Sequence, residues 1–123
     1  MFNLDLKDKV ILITGGSDGL GYASAELLSS EGAKVIICGR RGDYLNEKAK
    51  TISEKTNNNV LAIQADVSKA EDCKRLVEET ISKFKKIDIL VNNAGASAAA
   101  LFEDVAKERD YNHSMLTLSL IHI

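Results

Sequence analysis

Short apolar runs alternate along this chain with longer stretches that are apolar on one side only. Val10-Ile11-Leu12-Ile13-Thr14 is a β-branched run closed by Gly15-Gly16, the pattern of a strand buried on both faces. A helical period follows from Gly19 to Glu31, which assigns Leu20, Ala23, Leu27 and Leu28 to the buried side and makes Gly32 the stop. Val35-Ile36-Ile37-Cys38 is a second buried strand, ended by Gly39. The cycle repeats: a helix over 44–55 carries Leu45, Ala49 and Ile52, the cluster Asn57-Asn58-Asn59 turns the chain, and Val60-Leu61-Ala62-Ile63 is a third strand. Ser68 with Glu71 three residues on reads as a capping box, opening a helix with Cys73, Leu76, Val77, Thr80, Ile81 and Phe84 at helical spacing. Ile87-Asp88-Ile89-Leu90-Val91 is a fourth strand, and a last helical stretch begins near Ala100.

Four strands separated by helices of about twelve residues or more require parallel pairing with right-handed crossovers. The predicted fold is therefore an open α/β sheet. The pattern shows no linker, repeat or low-complexity segment.

Composition narrows the function classes. With 45% hydrophobic and 28% charged residues the 123-residue chain is a soluble globular domain rather than a disordered or fibrous one. A net charge of -2 removes the electrostatic case for nucleic acid or an anionic membrane as partner. Acids and bases interrupt the first nine residues where a signal peptide needs an apolar core, and no apolar run reaches the roughly 20 residues of a membrane span. Cys38 and Cys73 form neither a metal-ligand spacing nor a disulfide framework and are expected as buried thiols. A reducing, cytoplasmic compartment is the expectation.

The strongest motif is Thr14-Gly15-Gly16-Ser17-Asp18-Gly19-Leu20-Gly21, between the first strand and the first helix. Gly15 allows a sharp turn off the strand, Gly19 a close approach of backbone to a pyrophosphate, and Gly21 close packing of the helix. The helix N-terminus adds free amides and a positive dipole end for the phosphates. Turn-forming glycines without a ligand are common, but this loop sits where nucleotide binding needs it. The spacing T-G-x-x-x-G-x-G, together with Asp66-Val67 after the third strand and Asn92-Asn93-Ala94-Gly95 after the fourth, resembles the short-chain dehydrogenase/reductase family. The resemblance runs to about residue 116. It implies the first half of a Rossmann-type, doubly wound parallel sheet, with strand order 3-2-1-4 continuing into further strands. It also implies that Thr14, Gly15, Ser17, Asp18, Gly19, Leu20 and Gly21 hold the cofactor. Asp66 would accept from the adenine amino group, the Val67 amide would contact the ring, and Asn92, Asn93, Ala94 and Gly95 would line the adenine ribose and tie the sheet to Thr14.

The end of the second strand bears on which cofactor. NAD-preferring enzymes usually carry an acid there, bonded to the ribose 2′-hydroxyl. Here Gly39 is followed by Arg40 and Arg41, and a guanidinium suits a 2′-phosphate. NADP(H) is expected over NAD, with Arg40 as the phosphate contact and Arg41 stacked on adenine or facing water. Asp18 departs from the basic residue that some NADP-preferring members carry before the second motif glycine.

The resemblance implies hydride transfer between nicotinamide and a carbonyl or alcohol substrate, through an asparagine, a serine and a Y-x-x-x-K pair. Tyr44 and Lys48 match that last spacing by helix periodicity alone and follow the second strand, on the adenosine side. Tyr22 and Tyr111 have no lysine four residues on, and His113 and His122 have no catalytic partners in the pattern. No catalytic residue is therefore assigned. Leu118-Ser119-Leu120-Ile121-His122-Ile123 resembles a translated sequencing-library adapter. The expectation is thus a cofactor-binding domain over 1–117 and a non-native tail over 118–123, inactive alone and oligomeric only at full length. Such a chain would leave the fourth strand as an exposed apolar edge and be poorly soluble. The other open reading is a non-catalytic nucleotide-binding or interaction module.

Overall fold

The computed structural model describes residues 5–15, 19–93, 101–102 and 104, and the backbone of 116–119. In chain order the elements are β1 (Val10–Thr14), α1 (Gly19–Ser30), β2 (Lys34–Gly39), α2 (Gly42–Thr56), β3 (Leu61–Gln64), α3 (Ala70–Phe84), β4 (Ile89–Asn92) and β5 (Leu116–Ser119). The strands form one parallel sheet of order β3-β2-β1-β4-β5. The predicted doubly wound Rossmann arrangement is present, with all four predicted strands in it.

Alternation within each strand divides the core into two layers. Val10 and Leu12 of β1, with Ile36 and Cys38 of β2, pack with Cys73, Leu76 and Val77 of α3, and with Phe102. Ile11 and Ile13, with Val35 and Ile37, pack with Ala25 of α1 and with Leu45, Ala49 and Ile52 of α2. Every residue of β1 is buried, which is why its sequence is continuously apolar rather than alternating.

Three local expectations differ from what is observed. First, α1 turns the small residues Gly21, Ala25 and Ser29 to the interior and leaves Leu20 and Leu27 exposed at 50% and 61%. Gly21 brings the helix so close to the loop that only small side chains fit beneath it. Second, Ser68 does not cap α3. Its hydroxyl bonds Asp66 Oδ1 at 2.6 Å, and the helix starts from Lys69 with no side-chain cap. Third, β4 is not an open edge, because β5 lies along it from Ile89↔Leu116 to Asn92↔Ser119. An unpaired strand edge is a template for any extended segment that reaches it. The predicted helical stretch after Ala100 lies largely outside the described residues.

Asp88 shows how β1 is fastened at its start. Its Oδ2 accepts from the Val10 amide at 2.8 Å and meets Lys86 Nζ at 3.0 Å. Burial works against this carboxylate's charge, but the Val10 amide and Lys86 outweigh it and hold the group below the ordinary aspartate range. The stabilisation is therefore present above that range and is lost as pH falls through the folded value. Asp88→Asn is expected to cost about 1–2 kcal/mol at pH 7. Urea titrations should show the wild type and variant converging in acid. Burial drives the Cys38 thiol up to about 12 and that of Cys73 up to about 11, so both remain protonated at neutral pH.

Candidate functional site

The registers align the carboxyl ends of three strands. Thr14 ends β1 opposite Cys38 of β2 and Asn92 of β4, so the glycine loop, the Gly39-Arg40 turn and Asn93 leave the sheet at one edge. The chain crosses between opposite halves of the sheet at β1 and β4. This switch point, outside the carboxyl ends of the strands, is where open α/β sheets bind ligands.

Three polar side chains lock the centre of this edge. Thr14 Oγ1, fully buried, donates to Asn92 Oδ1 at 3.0 Å and accepts from the Asn93 amide at 2.9 Å. Asn93 Nδ2 reaches the Gly15 carbonyl at 3.4 Å. Of the motif glycines, Gly15 has φ +67, a turn that side-chain-bearing residues rarely adopt. At Gly21 a Cβ would stand 2.8 Å from the Gly15 carbonyl carbon and 3.0 Å from Asn93 Nδ2. Gly19 opens α1 with φ +55, and among the described residues nothing beyond its own neighbours lies within 4 Å of where its Cβ would be. Ser17, Asp18, Ala94 and Gly95 lie outside the described residues.

The second half of the site is a cleft of about 690 Å³ at the ends of β2 and β3, lined by Arg40, Gln64, Asp66, Lys69, Asp72 and Arg75 among others. Asp66 is half-buried, and its Oδ1 accepts from the Ser68 hydroxyl and, at 3.0 Å, from the Ser68 amide. The Ser68 hydroxyl and amide, with Lys69 and Arg40 nearby, hold this carboxyl below its usual range, so it is an acceptor at neutral pH. The Asp66 amide is itself held by Asp72 Oδ2 at 2.7 Å. Val67 is partly buried against the α3-side core.

Sequence reasoning missed Gln64. Its side-chain amide donates to the Arg40 carbonyl at 2.9 Å, and its Oε1 lies 2.9 Å from where a Gly42 Cβ would stand. Gln64 thus braces the turn that presents Arg40. An exposed glutamine closing a strand leaves no periodic signal. Arg41 is exposed, and its guanidinium lies over the Tyr44 ring, 4.3 Å from the centroid. Lys48 Nζ lies over the same ring at 5.1 Å, so the Tyr44–Lys48 pair is a stacking contact on α2.

Fold and edge together define an open, doubly wound α/β protein of the Rossmann type. A family model described as short chain dehydrogenase matches residues 9–119, and the chain belongs to that family. It is 36% identical over 115 residues to 11-beta-hydroxysteroid dehydrogenase A of Sesamum indicum, covering 94% of this chain and 33% of that protein. It is 42% identical to 11-beta-hydroxysteroid dehydrogenase-like 2 of Arabidopsis thaliana, covering 87% and 35%. The chain thus spans about a third of the length of these relatives. Among solved structures it resembles L-sorbose reductase from Gluconobacter frateurii, complexed with NADPH and L-sorbose, at TM-score 0.77 and 32% identity, covering 83% of this chain and 48% of that one. A short chain dehydrogenase from Mycobacterium smegmatis superposes at TM-score 0.84 with 24% identity, covering 94% and 58%, a likeness of fold. Proteins of this family are oxidoreductases. Among the described residues no helix is long and apolar enough to cross a membrane.

Proposed function

We propose that the chain is the NADP(H)-binding portion of an oxidoreductase acting on a carbonyl or alcohol substrate. The observation that carries this reading is the turn after β2. Gly39 stands where an acid would repel a 2′-phosphate, and Arg40 follows it into the cleft that also holds Asp66. A guanidinium gives a phosphate two parallel charge-assisted hydrogen bonds. The NADPH complex of the L-sorbose reductase that this chain resembles supports the reading.

When bound, the nicotinamide supplies or accepts the hydride. The residues of this chain bind and orient the nucleotide. Gly15, Gly19 and the first amides of α1 receive the pyrophosphate, with Ser17, Asp18, Leu20 and Gly21 completing the loop. Asp66 and the Val67 amide take the adenine, Asn92 to Gly95 its ribose, and Arg40 the 2′-phosphate. Proton transfer is assigned to a serine and a Y-x-x-x-K pair that residues 1–123 do not carry at the family's position. Lys48 faces the ring of Tyr44 on α2, which does not serve that role. The buried free thiols Cys38 and Cys73 fit a reducing, cytoplasmic compartment.

Fluorescence titration with NADPH and NADH tests the proposal. The expected result is binding of NADPH about tenfold or more tighter than NADH, the discrimination that one charge-assisted contact supplies, without NADPH oxidation in the presence of ketones. Equal affinities would remove the NADP(H) preference, and failure of both to bind would remove the nucleotide site.

A further inference from the structure

The Tyr44 ring faces two basic side chains, those of Arg41 and Lys48, and Lys48 also lies over a ring of α1. Arg41, the N-cap residue of α2, lies at 4.3 Å over this ring. Lys48, one turn further along, lies at 5.1 Å from it and at 5.3 Å from the Tyr22 ring of α1. The ring is half-buried beside Leu45, which is in the core, whereas Arg41 is exposed. An exposed arginine otherwise samples many rotamers, and ordering it on a ligand costs conformational entropy. The adjoining backbone is already braced, since Gln64 holds the Arg40 carbonyl.

We propose that Tyr44 is a positioning residue for recognition of the nucleotide 2′-phosphate, its ring holding the Arg41 guanidinium at the turn where Arg40 meets that phosphate. This rests on the NADP(H) reading above. Tyr44 acts through Arg41: the ring's negative face attracts the cation and limits its rotamers next to Arg40 before the nucleotide arrives. Lys48 adds a second positive charge on the same ring and, through Tyr22, ties its position to α1, whose N-terminus faces the pyrophosphate. The basic side chains on the β2–α2 turn are thereby arranged ahead of binding rather than on it.

The test compares adenosine 2′,5′-bisphosphate with 5′-AMP by calorimetry on the chain. The ratio of the two dissociation constants isolates the 2′-phosphate, because general damage to the site weakens both ligands alike. Tyr44→Leu is expected to lower this preference about threefold, the scale of an exposed cation–π contact, while Tyr44→Phe retains it. In an Arg41→Leu background, Tyr44→Leu should change the ratio no further. Should Tyr44→Leu not fold, pentafluorophenylalanine at position 44 keeps the ring and inverts its quadrupole, with the same loss expected. Equal weakening of both ligands, or an undiminished effect without Arg41, would overturn the role of Tyr44. A wild-type chain that binds both ligands equally would instead overturn the NADP(H) reading on which it rests.

Discussion

Gly21→Ala is expected to cost about 3 kcal/mol of stability, at the upper end for overpacking a fixed site, and to reduce NADPH affinity by about a hundredfold, the same free energy read as binding. The new Cβ would meet the carbonyl carbon of Gly15 at 2.8 Å and Asn93 Nδ2 at 3.0 Å. Neither neighbour yields easily. The Gly15 amide is bonded to the Cys38 carbonyl at 3.1 Å and its φ is +67, while the Asn93 backbone is held by Thr14 Oγ1. The helix must therefore retreat from the loop, and the amides of its first turn retreat with it. A thermal melt and an NADPH titration on the same sample measure both effects. A variant that melts normally but binds nucleotide weakly would still locate the loop at the phosphate. Unchanged binding would show that the distance between α1 and the loop is immaterial to the ligand.

Arg40→Ser is expected to weaken NADPH by about 10- to 100-fold, the 1.5–3 kcal/mol of a charged hydrogen-bond partner, and to leave NADH within about twofold. Adding Gly39→Asp should reverse the preference. Gly39 does not adopt positive φ, so aspartate can take its backbone conformation. A carboxylate there repels a 2′-phosphate and accepts from a 2′-hydroxyl. Paired titrations with the two reduced nucleotides read the reversal directly. Loss of both affinities together would assign Arg40 to the shape of the cleft rather than to the phosphate.

The strands of the sheet's centre were legible because they are buried on both faces, whereas their order was what the family resemblance implied. Val10–Thr14, Lys34–Gly39 and Ile89–Asn92 carry continuous apolar runs that leave little room for another assignment. The glycine loop was legible for a related reason, since positive φ at Gly15 and the packing limit at Gly21 each exclude other residues. What escaped depends on distance rather than on hydrophobicity. Periodicity ranks Leu20 and Leu27 above Ala25 and Ser29, yet the close approach of α1 buries the small residues and exposes the large ones. Ser68 has the spacing of a capping box, but Asp66 lies two residues away and competes for its hydroxyl. The brace from Gln64 to Arg40 and the stack of Arg41 on Tyr44 join residues 24 and three positions apart through side-chain ends, which no pattern of polar and apolar positions encodes.

The site stands or falls as one surface at the carboxyl edge of β1, β2, β3 and β4. A nitrogen–proton NMR titration of the labelled chain with NADPH addresses that surface directly. The expected result is saturable shifts at Gly15, Gly19, Arg40, Asp66 and Asn93, with the far ends of the strands unmoved, and a smaller shift at Arg40 when NADH is used. Shifts confined to other surfaces, or none at millimolar nucleotide, would contradict the account.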